Sequence, residues 1–168
     1  VAINTLLGFI FAHPTITIAV LLRLLLVFIA NILSVCFSFM INDVEDAHDD
    51  ALSPKKIKRN PISAGMLSRR LGLWASGGIA VLAILTFYPL GITPFILGVT
   101  TVGLGLLYSW KRIRLKSVPL LDLASHGLML AGLQFLCSYF TFSEFKGFTA
   151  DLILPFLITT TISMYGEL

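Results

Sequence analysis

The chain has 168 residues, 57% hydrophobic and 12% charged, against about 25% charged in soluble domains. With a mean hydropathy of +0.92, this excludes an ordinary water-soluble domain and points to a bilayer. The formal net charge of +3 does not argue for nucleic acid, because the basic residues flank apolar stretches and have no soluble surface to sit on.

A membrane-crossing helix needs about 20 mainly apolar residues. In chain order the candidates are a short Val1 to Ala12, then Thr15 to Ile41, Leu71 to Tyr88, Ile92 to Trp110, Val118 to Phe140 and Ala150 to Leu168. The fold class expected is therefore all-α: one polytopic transmembrane bundle of about six helices covering residues 1–168. The first stretch is short and lacks a starting methionine, and the last runs to the chain end, so a piece of a longer protein is expected. Cys36 and Cys137 fall inside apolar stretches, which implies neither a disulfide framework nor a zinc site.

Charge falls on alternate joins. The join from Asn42 to Arg70 holds Lys55, Lys56, Lys58, Arg59, Arg69 and Arg70, and the join from Lys111 to Ser117 holds Lys111, Arg112, Arg114 and Lys116. The first and third joins hold none and the fifth only Lys146. An even number of spans separates the two basic joins, so both lie on one side, and the positive-inside rule makes that side cytoplasmic.

Five of the nine acidic residues, Asp43, Glu45, Asp46, Asp49 and Asp50, fall close after the second span. If its helix continues past Ile41, Asn42, Asp46, Asp49 and Asp50 share one face over about 12 Å. Carboxylates so close repel unless a cation sits among them. Oxygen-only donors favour Mg²⁺, which binds through a few carboxylates together with phosphate oxygens. Beside them, Lys55, Lys56, Lys58 and Arg59, and across from them Lys111 to Lys116, supply cations suited to phosphate. Singly, the acids favour a cation site over a solvated helix end, whereas the bases read as topology signals facing anionic headgroups. Together they have the composition of a metal and diphosphate site.

The order Asn42-Asp43-Val44-Glu45-Asp46-Ala47-His48-Asp49-Asp50 matches N-D-x-x-D-x-x-x-D, and so resembles the first aspartate-rich motif of the UbiA superfamily of intramembrane prenyltransferases. Arg59-Asn60-Pro61-Ile62-Ser63-Ala64-Gly65-Met66-Leu67-Ser68 is similar to the family's R-P-L-x-x-G-x-I-S stretch, with Asn60 inserted after the arginine. Tyr108-Ser109, Arg114-Leu115-Lys116, Pro119 and Asp122 resemble a Y-S-x-P-P-x-R-L-K-x-x-P-x-x-D pattern in which Lys111 and Arg112 stand for the two prolines.

The resemblance implies nine helices around a lipid-accessible cavity, with a catalytic loop at about 42–70 on the cytoplasmic side. It implies Mg²⁺ held by Asn42, Asp43, Asp46 and Asp50, and diphosphate held by Asn42, Lys58, Arg59, Arg112, Arg114 and Lys116. Asp46 and Asp50 become catalytic, with Tyr108 facing a developing carbocation or, equally, anchoring at the interface. The partners implied are a polyprenyl diphosphate, a lipophilic acceptor and membrane lipid. A second aspartate-rich motif is expected just beyond Leu168, so that this piece alone is expected to be inactive.

Two rivals are weaker. A CDP-alcohol-type phosphatidyltransferase shares the Asp46–Asp50 spacing but calls for glycine at position 42 and an Ala-Arg pair upstream. A cation transporter or membrane scaffold calls for ionisable groups near the bilayer midplane, whereas only Arg23, Asn31 and Gln134 lie well inside spans. Arg23 is unassigned between a functional charge and a partner within the bundle. Asp122 and His126, one turn apart, read as a hydrogen-bonded pair, with assistance to the acceptor as the alternative. His48 falls off the acidic face and reads as solvated or as a residue supporting the acids from outside.

Overall fold

The computed structural model describes residues 1–145, 147 and 149–166, with the backbone alone for Asp151. Lys146 in the fifth join, and Glu167 and Leu168 at the end of the last expected span, lie outside the described residues. Six helices follow one another: α1 (Ala2–Phe11), α2 (Ile18–Asp50), α3 (Arg69–Phe87), α4 (Ile92–Ser109), α5 (Pro119–Phe142) and α6 (Ala150–Tyr165). No strand occurs among the described residues.

Local chemistry sets the helix starts. Thr17 Oγ1 accepts the Val20 N–H at the head of α2, and Ser68 Oγ accepts the Leu71 N–H at the head of α3, each satisfying a donor that the first turn leaves unpaired. Pro119 opens α5 where its missing N–H costs nothing.

α2 is the spine. Its Val27 and Ala30 meet Phe87, Leu90 and Cys137, and its Phe37, Ile41 and Val44 meet Ala83 and Val102. A third cluster joins Phe135, Leu136 and Phe140 of α5 to Leu152 of α6. Large apolar side chains such as Leu22, Val81, Leu85 and Ile96 point outward, as they do where lipid is the solvent.

Among the described residues four helices, α2 to α5, are long and apolar enough to cross a membrane, counting the turn Tyr88–Leu90 with α3. The span expected from Ala150 is shorter: α6 ends at Tyr165 after 16 residues, about 24 Å of helix against a hydrocarbon core of about 30 Å. The stretch 42–70 is helical at both ends. α2 continues for 33 residues to Asp50, about 50 Å, so its apolar part ends near Ile41. Residues 42–50 form a rigid acidic extension, and the loop proper is 51–68.

The polar residues inside the spans satisfy the bundle. A π turn at Leu128–Gly132 interrupts α5 and frees carbonyls that have no water to turn to. Asn4 Nδ2 donates to Leu130 O and Gln134 Nε2 to Met129 O. Asn31 Nδ2 donates to Thr5 Oγ1 and Gln134 O. Arg23 donates to Leu90 O at 2.7 Å and Thr141 O at 3.0 Å, tying the ends of α3 and α5 to α2 at the end opposite the acids.

Candidate metal and diphosphate site

The acidic extension of α2 meets both basic joins at one end of the bundle. Asn42, Asp43, Asp46 and Asp50 line an opening of about 230 Å³ with Lys56, Arg59 and Asn60. The helical angle therefore places Asn42, Asp46 and Asp50 correctly, and Asp43 joins them.

The fourth residue expected on that face, Asp49, turns to the 110–118 loop instead. Arg114 Nη2 lies 3.1 Å from Asp49 and 3.3 Å from Asp46, and Lys111 Nζ is 3.9 Å from Asp49. The Arg114 hydrogen bond, then the Lys111 charge, hold the Asp49 carboxyl below its ordinary range. Arg114 itself has a positive φ of 46°, a conformation that costs a non-glycine residue about 1–2 kcal/mol; the two carboxylates on its guanidinium offset that strain.

Lys116 reaches furthest in. Its ammonium donates to Asn42 Oδ1 at 2.6 Å and to Asp46 Oδ2 at 2.5 Å, and it stands 5.9 Å from the centre of the Tyr108 ring. Ser109 Oγ also donates to Asn42 Oδ1.

Glu45, on the other side of α2, is buried. One oxygen accepts from Arg69 at 2.9 Å and the other from the Lys111 N–H at 3.1 Å, so it straps the start of α3 and the second basic loop to α2. This role was not visible in the sequence, where Glu45 is one acid among five.

Of the expected diphosphate residues, Asn42 and Arg59 line the opening, Arg114 and Lys116 reach Asp46 without lining it, and Lys58 and Arg112 are not brought to it. Lys58 is exposed and outside its lining; Arg59 and Asn60 both donate backbone N–H groups to Lys56 O, and this turn points Lys56 inward. Lys56 Nζ lies 3.7 Å from Asp50 Oδ1. Arg112 stacks over Trp110, 5.8 Å from the ring centre. His48 is exposed, with its Nδ1 3.7 Å from Asp49 Oδ1.

The residues fit magnesium. All the donors are oxygens, and burial, then the carboxylates of Asp50 and Asp46, push the Asp43 carboxyl above its ordinary value against a smaller pull from Lys116. Among the described residues no three His, Cys, Asp or Glu side chains are grouped closely enough to hold a metal ion by themselves; magnesium commonly takes only part of its shell from carboxylates and completes it with water and phosphate.

Beneath Asn42 a second cavity of about 230 Å³ is lined by Ser38, Phe39, Tyr108, His126, Met129 and Leu130. Tyr108 and His126 meet edge to face at 6.4 Å. Asp122 Oδ1 is buried without a hydrogen-bond partner among the described residues. The π turn puts Met129 and Leu130 on this wall, so the irregular turn of α5 shapes the cavity.

The family model described as the UbiA prenyltransferase family matches residues 1–166. The chain belongs to the UbiA prenyltransferase family. A search of curated proteins finds no match. Among solved structures, a UbiA homologue from Archaeoglobus fulgidus, bound to GPP and Mg²⁺, superposes with a TM-score of 0.77 at 18% sequence identity. The likeness covers 95% of this chain and 54% of the homologue, so the chain spans about half the length of that protein. At this identity the superposition speaks for the fold alone; membership of the UbiA family, with four helices among the described residues long and apolar enough to cross a membrane, makes this chain an integral membrane protein.

Proposed function

We propose that the intact protein transfers a prenyl group from a polyprenyl diphosphate to a lipophilic acceptor, with Mg²⁺ and with the acidic end of the bundle in the cytoplasm. One observation carries this reading. Four oxygen-bearing residues of α2, Asn42, Asp43, Asp46 and Asp50, open onto the same space as Lys56 and Arg59, directly above an aromatic-walled cavity. Family membership and the GPP and Mg²⁺ held by the Archaeoglobus homologue support it.

In this mechanism Asn42, Asp43, Asp46 and Asp50 hold the metal, which when bound supplies positive charge to the leaving diphosphate. Lys56, Arg59, Arg114 and Lys116 hold the phosphate oxygens and stabilise the charge that grows on them as the allylic C–O bond breaks. Lys116 is already at Asn42 and Asp46, so its ammonium exchanges carboxylate for phosphate as substrate enters. Tyr108 offers its ring face to the carbon that becomes cation-like, and the apolar cavity wall keeps water from capturing it.

The test is transfer activity of Asp46→Asn and Asp50→Asn in the intact protein. Each is expected to lose at least about 100-fold in rate with membrane insertion and folded yield unchanged. Full activity in both variants sinks the metal assignment.

A further inference from the structure

Asn60 is the residue by which this chain departs from the R-P-L pattern, and it is buried to 2% exposure at the wall of the acidic opening. Its carboxamide makes four hydrogen bonds. Oδ1 accepts the backbone N–H groups of Ile62, at 3.0 Å, and Ser63, at 3.3 Å. Nδ2 donates to Asp43 O at 2.8 Å and to Asp50 Oδ2 at 3.1 Å.

These contacts leave the amide one orientation. Two N–H donors face one end, so that end is the oxygen; the NH₂ then points at a carbonyl and a carboxylate, both pure acceptors. One side chain folds the 60–63 turn through its oxygen and fixes Asp50 through its nitrogen. With Oδ2 engaged, Asp50 presents Oδ1 to the opening, where Lys56 stands 3.7 Å away.

We infer that Asn60 is a positioning residue for the cation site: it orients the Asp50 carboxylate and pins the last turn of α2, so that Asp50 meets the metal with one defined oxygen. The inference rests on the metal reading of Asp50 given above. Partners that orient a ligating carboxylate in this way are worth about 10–100-fold in metal affinity. The position is not interchangeable with aspartate, which would keep the turn but turn a carboxylate oxygen toward Asp50 and Asp43 O.

Serine separates the two jobs of Asn60. In Asn60→Ser the hydroxyl still accepts the N–H groups of the turn, yet it is too short to reach Asp50. The experiment is Mn²⁺ binding, followed by electron paramagnetic resonance in the presence of inorganic diphosphate, on the full-length protein in lipid nanodiscs. The parent, Asn60→Ser, Asn60→Ala, Asp50→Asn and the double variant Asn60→Ser/Asp50→Asn are compared, with thermal midpoints measured alongside.

Asn60→Ser is expected to bind Mn²⁺ at least about tenfold more weakly at a midpoint near the parent's, and to have no further effect once Asp50 is Asn. Parent-like Mn²⁺ affinity in Asn60→Ser, while Asp50→Asn binds weakly, overturns the role of Asn60 and leaves the metal site standing. An equal loss in the presence and absence of the Asp50 carboxylate also overturns it, since Asn60 would then act by another route. If Asp50→Asn itself binds as the parent does, the metal reading fails and the inference falls with it. Should Asn60→Ala not fold, Asn60→Ser still decides, because it keeps the turn.

Discussion

Arg23 shows how a charge inside an apolar stretch is to be read. Its guanidinium donates to two carbonyls, Leu90 O and Thr141 O, each at a helix end where the carbonyls lack intrahelical partners. Replacing it by methionine keeps much of the apolar stem and removes both donors. Hydrogen bonds from a charged donor are worth about 1.5–3 kcal/mol each, so Arg23→Met, which removes two, is expected to lower unfolding stability by at least about 3 kcal/mol, with metal binding unchanged. Denaturant unfolding in detergent measures it; an unchanged midpoint would mean that water serves those carbonyls equally well. The sequence placed the charge but not its partners, which lie 67 and 118 residues away. The same limit applies at the acidic site. A helical angle orders Asn42, Asp46 and Asp50 because it is a local rule. Which of Lys56 and Lys58 turns inward, and that Asn60 reaches Asp50, depends on how the loop folds back, and no periodicity encodes that.

At the scale of elements, helix existence and the gathering of both basic joins at one end of the bundle were legible, because about 20 apolar residues and alternate basic joins are one-dimensional signals. Pairing was not. α1 lies against α5, where Ser138 Oγ donates to Thr5 O, and the closeness of that approach depends on Gly8. A Cβ at Gly8 would stand 2.4 Å from Phe135 O and 2.7 Å from Ser138 Cβ, the first of these a backbone atom that cannot swing aside. Gly103, in α4, faces open space. Gly8→Ala is therefore expected to cost about 1–3 kcal/mol as α1 is forced from α5. Gly103→Ala is expected to be neutral or to stabilise by up to about 1 kcal/mol through helix propensity. Equal midpoints for the two variants would show that α1 is not held by that contact. The π turn of α5 was likewise beyond a reading by apolar period. It becomes intelligible only when Asn4 and Gln134 are seen to take the carbonyls it frees, and when Met129 and Leu130 are seen on the cavity wall.

For the whole molecule, charge and length agree on one orientation. α2 is longer by about 20 Å than the hydrocarbon core it crosses, and most of that excess, residues 42–50, carries the acids at the end where both basic loops gather. Arg23 sits at the other end, beside the turn that closes α3. The two ends therefore differ in chemistry as well as position, and sidedness is open to a direct measurement. In a variant lacking Cys36 and Cys137, single cysteines at Lys55, in the first basic loop, and at Ile16, ahead of α2, are each exposed and separated by the full length of α2. A membrane-impermeant maleimide is expected to label position 55 only in inside-out vesicles and position 16 only in right-side-out vesicles. Labelling of both from one side would break the transmembrane path of α2, while the reverse pattern would keep the bundle but place the diphosphate site outside the cytoplasm. The two failures are distinct because the first tests the length of one helix and the second only the rule that basic loops stay inside.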